Sequence, residues 1–255
     1  IFMPVRSSNP GDFSLGFTAE KDAGEQFRWK PKSRYYGPDY LSYHVQVQNK
    51  GKIRNLVFGD FQCQFGQGLM LGGMFGTGKG GETITTPRRS NIGFAPYTWV
   101  NEAGIMRGIG ATIRAASRWS VSGFYSDMRK DANVGTAQSE ETISSFQLSG
   151  LHRNQNELAF RKVTGEKNFG AVVEYKHHSL DAGVMYNQVM FDVPVQGKPA
   201  VYNQFAFTGR SNKNVGLYLN YTVQNISFFG EIAKSLDGGF AATAGILASL
   251  SPKLD

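Results

Sequence analysis

Hydrophobic and polar residues alternate along residues 40–69, YLSYHVQVQNKGKIRNLVFGDFQCQFGQGL. A period of two is typical of a strand with one apolar and one polar face. The pattern therefore predicts two strands joined by a tight turn at residues 49–52. The apolar sets are Leu41, Tyr43, Val45 and Val47 on the first strand and Val57, Phe61, Cys63 and Phe65 on the second; the polar sets are Ser42, His44, Gln46 and Gln48, then Asp60, Gln62 and Gln64.

The same alternation recurs through the rest of the chain. Further strands are predicted at residues 12–21, 106–114, 119–125, 169–176, 180–187, 215–221, 226–232 and 242–249. Helix signals are weak, because the 31 glycines disfavour long helices. Residues 156–167 are a candidate short helix, and residues 143–152 are a candidate extended segment.

The connections between these strands alternate in length. Short turns are predicted at residues 49–52, 116–118, 177–179, 224–225 and 251–253, and long connections at 22–39, 70–104, 129–168 and 188–213, with 237–239 as an exception. Such alternation places all the short turns at one end of the sheet. This is typical of transmembrane β-barrels, which have short periplasmic turns and long extracellular loops. The sequence therefore predicts an all-β fold, an antiparallel transmembrane β-barrel of about ten or more strands.

Alternation alone leaves open which face is inside, since a soluble sandwich or small barrel would bury the apolar face. Three features favour the membrane: sorted loop lengths, a glycine-rich polar face, and aromatic residues near strand ends, as in interfacial girdles. The apolar sets, including that of Phe61 and Cys63, are then expected to contact lipid. The residues predicted to face the lumen are His44, Asp60, Gln62, Gln64, Arg114, Glu174, Lys176, Asp181 and Glu231.

Composition narrows the alternatives. The 255 residues suit one barrel domain over 1–255, and the sequence has no apolar run of ~18 residues that could form a membrane-spanning helix. The net charge of +7 is spread over turns and loops, which favours solvated turns and contacts with lipid headgroups or lipopolysaccharide over nucleic acid. A single cysteine excludes an intramolecular disulfide. The chain shows no signal peptide and ends in a turn-like segment, so it is expected to be incomplete at one or both ends.

Three segments carry a resemblance to a known family. They are GDFQCQFGQGLMLGGMFGTGK (59–79), SGLHRNQNELAFRK (149–162) and NISFFGEIAKSLDGGFAATAGILASL (225–250). Together they resemble the C-terminal β-barrel region of Bacteroidota outer-membrane proteins that carry an N-terminal helix-hairpin-helix domain. The resemblance implies an outer-membrane location and further strands beyond this sequence. A link to DNA uptake follows only by analogy with the N-terminal domain of that family.

No motif predicts catalysis, a cofactor or a metal site. Residues 73–80 have the G-x4-G-K skeleton of a phosphate-binding loop, but Gly80 stands where that motif needs Ser or Thr. The four histidines lack a nucleophile and an orienting group at recognisable spacing. We therefore expect no enzyme activity.

Two functions remain open. The first is a channel or translocation component, with the inward charges acting as a selective constriction. The second is a non-conducting barrel, with those charges paired in a filled lumen, that docks partner proteins through loops 70–104, 129–168 and 188–213.

Overall fold

The computed structural model describes residues 2–25, 27–30, 35–38, 40–73, 88–98, 104–137, 140–197 and 200–249. The strands are β1 (Phe2–Asn9), β2 (Phe13–Glu20), β3 (Arg28–Lys30), β4 (Tyr35–Gly37), β5 (Tyr40–Lys50), β6 (Ile53–Gln64), β7 (Gly93–Pro96), β8 (Met106–Arg114), β9 (Trp119–Lys130), β10 (Ala132–Ala137), β11 (Glu140–Phe146), β12 (Thr164–His177), β13 (Leu180–Val195), β14 (Gly209–Val223), β15 (Ile226–Ser235) and β16 (Phe240–Ala248). A short helix, α1 (Gln155–Ala159), and a 3₁₀ turn, Val201–Asn203, complete the described elements. No helix in these ranges is long and apolar enough to cross a membrane.

One antiparallel sheet dominates the fold, so the predicted all-β class is confirmed. Its strands follow the order β1-β2-β5-β6-β8-β9-β12-β13-β14-β15-β16. Within the described residues β1 and β16 are not paired with each other, so the sheet is open between them. Strands β7, β10 and β11 are attached to this path, and β3 and β4 form a separate hairpin.

The predicted alternation of short and long connections is present. Turns of a few residues join β1 to β2, β5 to β6, β8 to β9, β12 to β13 and β14 to β15. We call this end of the sheet the turn end and the opposite end the loop end. The predicted turn at residues 251–253 lies outside the described residues.

The strands of the main path between β1 and β16 have an outer and an inner face. The outer face carries exposed apolar side chains, including Leu15, Val45, Ile109, Val121 and Leu217. The inner face carries buried polar side chains, including Ser42, Gln46, Thr112, Ser122 and Asn220. This distribution is the inverse of that in a soluble β-sandwich, whose apolar faces form the core.

Strand β6 departs from the predicted orientation. Val57, Phe61, Cys63 and Phe65 were expected on the outside, but all four are buried, in a cluster with Phe94, Phe124, Val172, Met185 and Tyr218 on the inner side of the sheet. Phe58, on the opposite face of the same strand, is 52% exposed. The prediction was wrong because the chain after β6 folds over the inner face and supplies an apolar partner there.

Several elements were not predicted from the sequence pattern, among them β3 and β4 in connection 22–39 and β7 in connection 70–104. Strand β1 and the β10–β11 hairpin were missed, and only residues 143–146 of the candidate extended segment lie in β11. The candidate helix over 156–167 is wrong in extent, because α1 ends at Ala159 and β12 begins at Thr164. Asn154 caps α1, since its side chain accepts a hydrogen bond from the Glu157 amide.

Candidate functional site

The connection between β6 and β8 crosses the inner side of the sheet. Residues 65–73 and 88–98 of this connection are here called the infolded segment. Backbone hydrogen bonds tie this segment to the end of β6, with Gly73 N donating to Cys63 O at 3.0 Å and Ile92 N donating to Gln64 O at 3.1 Å. Strand β7 pairs with the same part of β6. This connection was predicted to be an external loop, but part of it therefore lies against the inner face of the sheet.

A carboxylate on the far side of the sheet holds the tip of this segment. Glu231, on the inner face of β15, is 1% exposed. Its Oε2 accepts hydrogen bonds from the backbone amides of Gln67 at 2.7 Å and Leu69 at 3.1 Å. Its Oε1 accepts a third from the amide of Met70 at 3.0 Å. Three backbone donors converging on one carboxylate make a strong, charge-assisted contact. We call this contact the Glu231 latch.

Gly66, the first glycine of the Phe-Gly-Gln-Gly-Leu stretch, makes the latch possible. Gly66 has φ +61°, a conformation that residues with a Cβ rarely adopt. A Cβ on Gly66 would also lie 2.9 Å from Glu231 Oε2 and 2.9 Å from Tyr218 Cβ. The turn therefore needs glycine here both for its backbone conformation and for its close approach to the opposite wall.

The side chain of Gln67 extends the latch in two directions. Its Nε2 donates to Asn220 Oδ1 on β14 at 2.7 Å. Its Oε1 accepts from the amide of Arg89 at 3.0 Å. Gln67 thus connects the two arms of the infolded segment to the wall beside Glu231.

A second polar group on the wall holds the other arm. Asn91 Nδ2 lies 2.8 Å from Glu174 Oε1 and 2.7 Å from Tyr218 Oη, and 3.3 Å from Asp181 Oδ2. Lys176 Nζ lies 3.5 Å from a carboxylate oxygen of both Glu174 and Asp181. The predicted residues Glu174, Lys176 and Asp181 are thus brought together as a paired group against the infolded segment.

Between these polar contacts the interior is apolar. The Phe94 ring packs edge-on against Phe65 at 5.4 Å, Phe61 at 5.8 Å and Phe124 at 6.1 Å between centroids. Edge-to-face pairs of this kind are favourable beyond the area that they bury. On the facing wall a Cβ at Gly183 would lie 2.5 Å from the Tyr218 ring. The glycine-rich inner face makes room for the aromatic rings that pack against the infolded segment.

The remaining predicted lumen residues are dispersed. His44 is buried on β5, with Nε2 3.0 Å from Ser14 Oγ. Gln64 is buried and donates to Ser90 O at 2.8 Å, whereas Gln62 is half-buried. Arg114 is exposed at the turn end of β8, away from the interior cluster.

Asp60 belongs to the wall and not to the interior cluster. It is fully buried and lies 2.6 and 2.7 Å from the guanidinium nitrogens of Arg107. Arg107 also donates to Leu41 O at 2.6 Å and lies 5.6 Å from the exposed Tyr43 ring. The amide of Tyr43 donates to Asp60 at 3.3 Å. This ion pair joins β5, β6 and β8 where β6 begins to turn inward.

We expect Asp60→Asn to lower the free energy of unfolding by about 2–3 kcal/mol, because Arg107 would lose its charged, two-pronged partner. The matched control is Asp127→Asn. That carboxylate lies 3.9 Å from Lys167 and both groups are exposed, so its loss should cost less than about 1 kcal/mol. Guanidinium unfolding in detergent micelles measures both values. Equal effects would contradict the role given to the buried pair.

A separate polar cluster lies at the loop end. His152 Nε2 is 2.6 Å from Asp131 Oδ2, and both side chains are buried. The amide of His152 donates to Glu25 Oε1 at 3.0 Å, and the amide of Lys162 donates to Asp131 Oδ1 at 2.8 Å. These contacts dock the connection before β12 onto the loop end of β9 and the connection after β2.

Some sequence expectations fall outside the described residues. All of the phosphate-loop-like stretch 73–80 except Gly73 lies there, and so does Trp99. Tyr40, expected in an aromatic girdle, is buried with Tyr97 and Ile105 instead. Within the described ranges no group of three His, Cys, Asp or Glu side chains is placed to hold a metal ion.

Sequence reasoning missed the infolded residues Gln67 and Asn91 and the wall residue Tyr218. The available signal was the pair of glycines at 66 and 68 directly after a strand. Such a pair marks a turn, but it does not say what the turn binds.

Comparison with known proteins gives little further information. No family model matches the chain, and no curated protein matches it. A solved structure, that of Acinetobacter baumannii OccAB2, is similar at 10% sequence identity with a TM-score of 0.25, over 96% of this chain and 61% of that chain. This chain thus spans less than two thirds of OccAB2.

Proposed function

We propose that this chain forms the membrane-spanning wall of an outer-membrane β-barrel and acts as a channel or translocation component. In this conformation the infolded segment closes the channel. The observation that carries the proposal is an apolar band of uniform height on the outer face. The alternation on the outer face and the length of the strands define that band.

The height of the band is the same on five consecutive strands of the path. Each strand has an outward aromatic or aliphatic residue at the turn end. Eight positions away, at the loop end, it has an outward charged or amide residue. The pairs are Trp119 and Asp127, Tyr175 and Lys167, Leu180 and Gln188, Tyr221 and Lys213, and Ile226 and Lys234. Every outward position between the members of a pair is aliphatic, aromatic or glycine.

This spacing is close to the height of the apolar band on outer-membrane barrels. Eight residues extend about 26 Å along a strand, or about 20 Å along the membrane normal for a strand tilted by about 40°. The apolar band of outer-membrane barrels is about 25 Å tall and is bordered by aromatic residues. Trp119 and Tyr175 lie 5.0 Å apart at the turn-end border, and Phe169 and Tyr186 lie 6.2 Å apart near the loop-end border.

An arginine in the middle of the band tests the proposal. Leu217 is exposed on the outer face of β14, halfway between Tyr221 and Lys213. If lipid covers this position, Leu217→Arg should cost about 2–4 kcal/mol of folding free energy in phospholipid vesicles. Val223→Arg, on the same face at the turn end, should cost at most about 1 kcal/mol.

The two arginine variants also separate a membrane protein from a soluble one. On a water-exposed surface both substitutions should stay within about 0.5 kcal/mol of the parent. Equal, small effects together with extraction in the absence of detergent would refute the membrane assignment. If Val223→Arg, the control, also unfolds the protein, the effect of arginine is general and does not depend on membrane depth.

One observation favours a second candidate, a non-conducting barrel that docks partner proteins. Ten buried residues, among them Phe61, Phe94 and Tyr218, form a packed core on the inner side of the sheet. Closely packed cores resist rearrangement, so this core favours a permanent closure. Single-channel recording in planar bilayers separates the two candidates. Openings that become more frequent when the Glu231 latch is removed support a channel, and silence in every variant supports the docking role.

A further inference from the structure

The loop-end border of the apolar band differs chemically from the turn-end border. Outward aromatic residues mark the turn end at Trp119, Tyr175 and Tyr221. Outward lysines mark the loop end on β12, β14 and β15, at Lys167, Lys213 and Lys234. A cation placed where an apolar band ends meets the headgroup layer of a bilayer.

We propose that Lys213 and Lys234, with Gln188 beside them, form a binding site for the phosphate of an anionic lipid headgroup. The site rests on the proposed membrane-spanning function, because the apolar band below it supplies the contact surface for the acyl chains.

The strand register brings these side chains together. Gln188 is directly opposite Lys213, and Val215 is directly opposite Lys234. Lys213 and Lys234 are therefore diagonal neighbours on one face, at a Cα separation of about 7–8 Å. Two ammonium groups on flexible stems at that separation can both reach one phosphate.

Gln188 is held in place between the strands. Its Oε1 accepts from Tyr186 Oη at 2.9 Å, and its Nε2 donates to Ser211 Oγ at 2.9 Å. Tyr186 thus connects the apolar band to the polar residues at its loop-end border. This arrangement fits a ligand with an anionic head and an apolar tail.

Nearby carboxylates already have cationic partners. Asp127 lies 3.9 Å from Lys167, and Asp192 lies 3.5 Å from Arg129. Within the described residues no carboxylate lies within ion-pair distance of Lys213 or Lys234, and Lys234 Nζ donates to Gly238 O at 2.5 Å. No carboxylate of the described residues therefore neutralises these two lysines, and the Lys234 ammonium keeps two of its three donors for an anion at the outer face.

Native mass spectrometry of the protein in dodecylmaltoside micelles tests the site. Phosphatidic acid and phosphatidylcholine are added separately, and bound lipid is counted. Each lysine near an anionic headgroup contributes about a fivefold change in binding, so Lys213→Gln with Lys234→Gln should lower phosphatidic acid occupancy about twenty-five-fold at subsaturating lipid. The charge-matched control, Lys52→Gln with Arg118→Gln at the turn end, should leave occupancy unchanged.

Several outcomes would overturn the inference. They are equal occupancy by phosphatidylcholine, unchanged occupancy in the double lysine variant, and displacement of the lipid by millimolar inorganic phosphate, which would indicate a site for the free ion. Heat-modifiable gel mobility verifies that each variant is folded, and the two single variants give a second measure. Failure here with a normal Leu217→Arg penalty refutes only the headgroup site, whereas a missing Leu217→Arg penalty refutes the membrane wall itself.

Discussion

Replacing Glu231 by alanine is expected to release the tip of the infolded segment from the wall of β15. The amides of Gln67, Leu69 and Met70 would lose a buried, charged acceptor. A hydrogen bond to a charged group is worth about 1.5–3 kcal/mol, and donors left unpaired in the interior add to the cost. A local loss of about 3 kcal/mol corresponds to a roughly hundredfold rise in the opening equilibrium.

Hydrogen exchange read by mass spectrometry measures this opening directly. Amides in residues 66–73 should exchange about two orders of magnitude faster in Glu231→Ala, whereas those of β12 and β13 should change little. Glu231→Gln should give an intermediate rate, since one carboxylate oxygen is replaced by a donor.

Glu140→Ala is the control for loss of a carboxylate, because Glu140 is exposed in β11. Exchange in residues 66–73 should match the parent in this variant. The latch would be refuted by parent-like exchange in Glu231→Ala, or by faster exchange spread evenly over the whole sheet.

Replacing Phe94 by alanine is expected to cause the largest loss of global stability. Its ring lies at the centre of the aromatic contacts with Phe61, Phe65 and Phe124. Removal of a buried phenylalanine ring costs about 3–5 kcal/mol, through lost transfer energy and the cavity that remains. Guanidinium unfolding in micelles should show this loss, and Phe205→Ala, at a position 93% exposed, should be close to neutral.

The single cysteine of the chain gives a local measure of the same cavity. Cys63 is fully buried in the cluster that contains Phe94. A maleimide reagent should therefore label the native parent protein slowly and the Phe94→Ala variant much faster. Rapid labelling of the native parent would contradict the inward orientation of β6, and equal labelling rates in the two proteins would contradict the packing of Phe94 over Cys63.

The strands and turns were largely predictable because both depend on local sequence. Alternation with a period of two gave the start of β5 at Tyr40 and both ends of β8, Met106–Arg114. Strand β1 was missed because its alternation is weak, and every residue in it is exposed. The β10–β11 hairpin was missed because neither ANVGTA nor EETISSF alternates regularly between apolar and polar residues.

The candidate site was predictable only in part. Glu174, Lys176, Asp181 and Glu231 were selected from sequence because a charge on the polar face of a strand stands out. Their partners were not, since Gln67 and Glu231 are 164 positions apart and no periodic pattern relates them. Asp60 was predicted to face the lumen because it lies on the polar face of an alternating strand. Its ion pair with Arg107, which places it in the wall, is not evident from the sequence.

The sequence by itself determined the antiparallel sheet, the short turns at one end, and an outer face whose apolar residues repeat every second position. These properties follow from side-chain alternation and turn chemistry, which act over a few residues. Only the tertiary structure decided that β6 turns its apolar face inward and that the chain after it packs against the inner side of the sheet through Glu231 and Phe94. Alternation along β6 separates its two faces but does not say which one points inward. The partner that long-range packing supplied, the infolded segment, decided the orientation.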